Sequence, residues 1–298
     1  MPSEEIQAVI QMLRDSAAES GNAERTVAEW RQSYEELAAF LPALDVAVVP
    51  VDAGGVPAEW IGDDSDGPVV MYVHGGGYCL GSTATHRSML THLASAMGGR
   101  VLSLDYRLAP ENPFPAALDD ASTAYRWLLG TGVDSGNVLI GGDSAGGGLT
   151  IAALLALREG GDPLPAGGIC LSPWADLTQS GATMEAKADI DPMVRAADLD
   201  RWAGAYAGSA DPAVPSISPI FADLSGLPPL HVEVGTAEVL LDDARRLVNR
   251  AQAAGVSAEL VEADDMIHVW PFFAGLVPEA DVAIERIAGF VRDRCAKR

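Results

Sequence analysis

The chain reads as an α/β protein, a single domain on a mainly parallel central sheet of about eight strands, with helices on both faces and a helical accessory segment. Three observations carry that expectation. Short runs of branched apolar residues alternate with stretches of helical period along most of the 298 residues, the pattern of strands covered on both faces. A Gly-x-Ser-x-Gly pentapeptide, residues 142–146, stands where one such strand should turn sharply into a helix. The tetrapeptide His74-Gly75-Gly76-Gly77 follows another strand about 70 residues earlier.

The elements follow in order. Residues 3–40 read as one or two amphipathic helices, because Ile6, Val9, Ile10 and Leu13 keep helical spacing, as do Trp30, Tyr34, Leu37 and Phe40, and Pro42 ends the run. Strands are expected at 45–51 and 57–61, with Gly54-Gly55 between them. The acidic turn 62–67 lacks the spacing of a calcium loop and reads as solvated. Further strands are expected at 69–73, 100–105, 138–142, 168–172, 230–234 and 257–262, each short and rich in branched apolar residues. Helical stretches at 88–97, 116–129, 149–158 and 242–254 separate most of them. Residues 175–225 break the rhythm: they hold no strand pattern but carry Met193, Trp202, Tyr206 and repeated Asp-Pro pairs, as an insertion over the carboxyl edge of the sheet would.

Composition excludes several classes of partner. The formal net charge is −23 and the only lysines are Lys187 and Lys297, so the long-range field repels nucleic acid and anionic membranes. Three scattered cysteines, Cys79, Cys170 and Cys295, make neither a disulfide framework nor a Cys-x-x-Cys metal site and fit a reducing compartment. The N-terminus lacks a basic segment and an uninterrupted apolar core, and no apolar run is long enough to span a bilayer. A cytoplasmic location is the expectation.

The pentapeptide alone is weak, since chance supplies roughly 0.2 such matches in a chain of this composition. Its setting strengthens it. Residues 138–140 form a short buried run, a helical segment follows directly, and glycines flank Ser144 where only small neighbours tolerate a strained elbow. Ser144 is the candidate nucleophile. A serine hydroxyl needs a base. Of five histidines, His74 belongs to the glycine motif, His86 and His92 lie on the helix after it, and His231 sits inside a strand; His268, just beyond the last strand, can reach the carboxyl edge of the sheet. In the chain order nucleophile, acid, base, the acid belongs after the strand at 230–234. Glu238 stands in that turn, Asp242 and Asp243 open the next helix where its dipole favours carboxylates anyway, and Asp264 and Asp265 share the loop of His268. Position favours Glu238. The glycine motif permits close backbone approach to a developing oxyanion, with the amides of Gly75, Gly76 and Ala145 as candidate donors. No Gly-x-Gly-x-x-Gly occurs, which disfavours a dinucleotide site.

With these motifs, the DYRLAPE stretch at 105–111, GDSAGG at 142–147, Asp191-Pro192-Met193 and the His268 loop in this order and spacing, the chain resembles the bacterial hormone-sensitive-lipase-like carboxylesterases of the α/β-hydrolase fold, and the resemblance covers essentially its whole length. It implies a single α/β-hydrolase domain over 1–298 with a cap formed by approximately 1–42 and 175–225. It also implies a serine esterase acting on short- to medium-chain carboxylic esters through a Ser144-His268-Glu238 triad and an acyl-enzyme, with no metal or organic cofactor. Asp105 and Arg107 would brace the loop after their strand. Many relatives carry aspartate where this chain has Glu238. The implied partner is a small-molecule ester, and relatives are often homodimers. An amidase, lactonase, carbamate hydrolase or acyltransferase could use the same parts, whereas the hormone receptors on this fold lack the catalytic histidine that His268 supplies.

Overall fold

The computed structural model describes residues 2–20, 25–63 and 66–295; Asp64 and Ser65 of the acidic turn and positions 21–24 of the N-terminal helical run lie outside the described residues. The strands are β1 (Val48–Asp52), β2 (Pro57–Ile61), β3 (Val69–Val73), β4 (Arg100–Leu104), β5 (Val138–Asp143), β6 (Gly167–Leu171), β7 (Leu230–Gly235) and β8 (Ala258–Ala263). Each begins within three residues of its sequence-predicted start. They form one sheet in the order β1-β2-β4-β3-β5-β6-β7-β8. β1 and β2 run antiparallel at one end, and every pair from β4 and β3 onward is parallel.

Strand alternation divides the core into two layers. Val69, Met71 and Val73 of β3, with Ile140 and Val232, face one side and pack against α4 (Ala116–Gly130), α5 (Ala145–Gly160) and α8 (Leu241–Ala253). Val70, Tyr72, Leu139 and Ile169 face the other and pack against α3 (Thr83–Met97) and α9 (Pro278–Cys295). Each such side chain, fully removed from water, contributes about 1.5–3 kcal/mol. The helix α9 is not among the sequence-predicted elements, although Ala280, Ala283, Ile284, Ile287, Ala288 and Val291 mark its buried stripe. α3 begins five residues before its apolar period, because Ser82 and Thr85 form a reciprocal capping box there.

The N-terminal helices α1 (Glu4–Ser20) and α2 (Val27–Ala38), and the segment between β6 and β7 with its helices α6 (Thr183–Ala186) and α7 (Ala196–Ala207), complete the fold. α7 lays Trp202 on Gly77, so closely that a Cβ at Gly77 would come within 2.9 Å of the indole. Tyr206 stacks on Tyr78 at 3.7 Å between ring centroids, and Trp30 of α2 meets Trp202 edge-on. Arg31 of α2 donates to the carbonyls of Cys79 and Ala109 and pairs with Glu111. Both segments therefore rest on the loop that leaves the carboxyl end of β3. Among the described residues no helix is long and apolar enough to cross a membrane.

Candidate active site

Ser144 lies between the last residue of β5 and the first of α5, with φ 54° and ψ −121°. That left-handed conformation costs a non-glycine residue about 1–3 kcal/mol and persists only where the surroundings over-determine it. Here they do. The Ser144 amide donates to the Leu171 carbonyl at 2.8 Å, and its carbonyl accepts from Trp174 at 2.9 Å. Backbone crowding explains the flanking glycines: a Cβ on Gly146 would sit 2.0 Å from the Val73 carbonyl oxygen, and one on Gly142 would sit 2.4 Å from that same oxygen.

His268 follows β8 in a loop whose next residue, Val269, also has positive φ. Its Nδ1 donates to Glu238 Oε2 at 2.8 Å. The other carboxylate oxygen of Glu238 accepts from Ser172 Oγ at 2.7 Å and from the Gly235 amide at 2.6 Å. Glu238 is thus completely buried and hydrogen-bonded at both oxygens. Burial disfavours the charged imidazole of His268, but the hydrogen bond and charge of Glu238, aided by Asp191 and Asp143, outweigh it and raise its pKa above the ordinary value. Because Nδ1 carries the proton toward Glu238, Nε2 is left as the basic nitrogen.

Ser172, which sequence reasoning treats only as the end of a strand, is a further member of this half. Its Oγ donates to Glu238 and accepts from the Val269 amide at 3.0 Å, and its own amide donates to the Glu233 carbonyl. One hydroxyl therefore joins the loops that bear Glu238 and His268. Its signal in sequence is only a serine at the carboxyl end of a strand, a common occurrence.

The competing carboxylates are engaged elsewhere or exposed. Asp242 accepts from the Ala182 amide, and Asp243 accepts from the amides of Ala175 and Asp176. Asp264 and Asp265 are exposed. The remaining histidines are structural: His92 donates to the Pro42 carbonyl, and His231 lies buried between Glu233 and Glu259. Arg107 forms a bidentate pair with Asp120 at the start of α4, and Asp105, exposed at the end of β4, donates its amide to the Pro57 carbonyl.

The glycine loop corrects one expectation. The Gly75 amide donates to Asp143 Oδ1 at 3.0 Å, so it is committed to the protein and is not available to an oxyanion. Among the described residues, the amides of Gly76, Gly77 and Ala145 have no such acceptor, and both Gly76 and Gly77 have positive φ. That leaves Gly76, Gly77 and Ala145 as the candidate donors. The cause is Asp143, buried beneath the loop, which also accepts from Tyr72 Oη at 2.9 Å and faces His86 Nε2 at 3.2 Å. Burial pushes the Asp143 carboxyl up, yet the charge and hydrogen bond of His86 and the hydroxyl of Tyr72 hold it below its ordinary value. Burial, and then His86, push the His74 imidazole down to about 3, so it stays neutral and donates from Nδ1 to the Gly75 carbonyl.

A strained serine at a strand-to-helix elbow, a histidine oriented by a buried carboxylate, and glycine-loop amides without a protein acceptor among the described residues are the parts that acyl transfer through a covalent intermediate requires. Comparison with known proteins finds ester hydrolases. Residues 70–272 match the family model described as alpha/beta hydrolase fold. An acetyl-hydrolase of Streptomyces hygroscopicus is 46% identical over 243 residues, 81% of each chain. The crystal structure of an esterase from the bacterial hormone-sensitive lipase family superposes with a TM-score of 0.95 at 48% identity, covering 99% of both chains. A third relative, the esterase EstE5 in crystals soaked with p-nitrophenyl butyrate, gives a TM-score of 0.94 at 42% identity over 99% of both chains.

Proposed function

This chain belongs to the α/β-hydrolase fold family and is a carboxylic ester hydrolase of its bacterial hormone-sensitive-lipase branch, and from that premise we propose that Ser144, His268 and Glu238 are its catalytic triad, with Gly76, Gly77 and Ala145 binding the oxyanion. The observation that carries this reading is the 2.8 Å hydrogen bond from His268 Nδ1 to the buried Glu238 carboxylate, which fixes the tautomer that leaves Nε2 basic.

The reaction then follows. Nε2 takes the Ser144 hydroxyl proton as Oγ attacks the ester carbonyl, and the developing imidazolium is stabilised by Glu238. Negative charge on the former carbonyl oxygen is met by backbone amides already in place, which require no reorganisation at the moment of reaction. The imidazolium returns its proton to the departing alkoxide, leaving an acyl group on Ser144. Water repeats the sequence, activated by the same nitrogen, and releases the acid.

The helices α1 and α2 and the segment between β6 and β7 act as a cap over the acyl and alcohol pockets, a reading supported by the packing of Trp30, Trp202 and Tyr206 over the glycine loop. An enclosed site favours chains of roughly two to eight carbons. The measurement is kcat/KM across p-nitrophenyl esters from acetate to palmitate, with amide and lactone analogues alongside. A maximum among the short esters is expected; a maximum at long chains with activation at an oil-water interface would overturn the reading, and faster amide or lactone cleavage would reassign the substrate class. A cytoplasmic homodimer is the assembly and location proposed, the first from the resemblance and the second supported by the buried free thiols of Cys79 and Cys170; light scattering tests the mass.

A further inference from the structure

The motif Asp191-Pro192-Met193 lies in the segment between β6 and β7, and nothing in the mechanism above uses it. Asp191 is buried and spends both carboxylate oxygens. Oδ1 accepts from the amides of Met193 and Val194 at 2.9 and 3.0 Å, an arrangement that closes a local turn. Oδ2 reaches 48 residues along the chain to accept from the Val239 amide at 3.0 Å. Val239 directly follows Glu238. Met193, two residues on, packs against the cluster that includes Met266, Ile267 and Val269, the neighbours of His268. The motif therefore holds the acid loop through its carboxylate, and its methionine joins the apolar cluster that contains the base loop.

From this juxtaposition we propose that Asp191 is a positioning residue of the esterase: it fixes the backbone that presents Glu238 and adds a negative charge to the field around His268, so that docking of the inserted segment is a condition for a competent acid-base pair. The inference rests on the triad proposed above. The side-chain chemistry is selective. A local turn needs one acceptor, which asparagine or serine supplies. Asparagine in this pose would turn its amide N–H toward the Val239 N–H, donor against donor, and only a carboxylate accepts at both positions. A buried carboxylate needs compensation, and three amide donors supply it.

The groups facing His268 make the effect readable. Glu238 from the loop after β7, Asp191 from the inserted segment and Asp143 from the end of β5 are the carboxylates that act on it. On the remaining side, Phe272 stands between its loop and the pair Tyr34 and His86. Removing the Asp191 charge takes away an anion that favours the imidazolium, so the imidazole stays basic to lower pH.

The test measures kcat, KM and the acid limb of kcat/KM against pH for Asp191→Asn, Asp191→Glu, Met193→Ala and Glu238→Gln beside the wild type on p-nitrophenyl butyrate. Asp191→Asn is expected to lose about tenfold in kcat with little change in KM and to move the acid limb down by about half a pH unit. Asp191→Glu should return the limb toward its wild-type position, and Met193→Ala should leave the limb in place. A purely structural role would lower the melting temperature or raise KM without moving the limb. Folded Asp191→Asn with wild-type kcat and acid limb would overturn the proposal, while normal turnover in Glu238→Gln would instead sink the triad on which it rests. Hydrogen exchange on the wild type reads the bridge without any variant. The Val239 amide should exchange at least roughly a hundredfold more slowly than a free peptide, and exchange at the free-peptide rate would overturn the proposal.

Discussion

At the junction of β5 and α5 the geometry of the proposed site is held by backbone, whereas across β6, β7 and β8 it is held by side chains. Ser144 stays in its left-handed conformation because Gly142 and Gly146 let β3 and α5 approach to distances that no Cβ survives. The amides proposed to bind the oxyanion likewise lie in or beside a loop whose path requires positive φ at Gly76 and Gly77. Glu238 and His268 depend on Ser172, Gly235 and Asp191, contributed by several separate stretches of chain. The first half is encoded in contiguous motifs; the second exists only after the sheet has assembled. Its parts should be correspondingly graded in importance.

Ser144→Ala is the strongest way to break the comparison, because it removes the one side chain that the backbone half must present. Turnover should fall on the order of a millionfold with the fold intact, and His268→Ala nearly as far. Retention of a tenth of wild-type activity on an activated ester would remove Ser144 from the mechanism. The acid tests the other half. Glu238→Gln should cost roughly a thousandfold or more at neutral pH, since loss of the orienting charge leaves the imidazole in the wrong tautomer. Asp242→Asn and Asp265→Asn should be far milder. Collapse in either of those with normal turnover in Glu238→Gln, at matched circular dichroism, would move the acid to that aspartate.

Ser172→Ala sharpens the grading. It deletes a 2.7 Å hydrogen bond to the buried carboxylate and the acceptor of the Val269 amide, while every group proposed to touch substrate remains. A hydrogen bond to a charged group contributes about 1.5–3 kcal/mol, so kcat should fall roughly tenfold to a hundredfold with KM nearly unchanged. Wild-type kcat in that variant would mean that Gly235 and the Asp191 bridge to Val239 orient Glu238 without Ser172.

The same contrast explains which parts were legible in sequence. All eight strands could be placed: the buried parallel ones are short unbroken apolar runs, and the antiparallel pair β1 and β2 is marked by the Gly54-Gly55 turn between its two runs. Ser144, Ala145 and the glycine loop were legible because glycine crowding leaves a contiguous signature. The engagement of the Gly75 amide was not, since it depends on Asp143 folding under a loop 68 residues away in sequence. Ser172 and the reach of Asp191 to Val239 were equally hidden, as common residues whose partners are set by tertiary approach. α5 begins at Ala145 through three consecutive glycines, poor helix formers that only the packing against β3 and Trp174 holds in place. The early start of α3 escaped a reading by apolar period because its first turn buries Thr83, Thr85 and His86 instead.

Glu238 and Asp243 lie five residues apart, both fully buried, yet only Glu238 has a histidine partner. Asp243 accepts two amides at Oδ2, leaves Oδ1 without a partner among the described residues, and faces Asp176. Burial, and then the Asp176 charge, raise its pKa from 3.8 to about 8 against the pull of those amides and Arg246. The folded protein therefore holds a proton at neutral pH that the unfolded chain releases near pH 4. Below that value the group does not distinguish the two states; between about 4 and about 8 folding takes up the proton, and stability falls as pH rises. Above about 8 the carboxyl is ionised in both states and the dependence levels off. Asp243→Asn copies the neutral carboxyl without the ability to ionise. It should match the wild type in melting temperature at pH 4, exceed it by several degrees at pH 8, and retain activity within about twofold. Thermal melts across that range decide the matter: an asparagine variant less stable than the wild type at pH 8 would mean that the ionised carboxylate, with Arg246 beside it, is the native form.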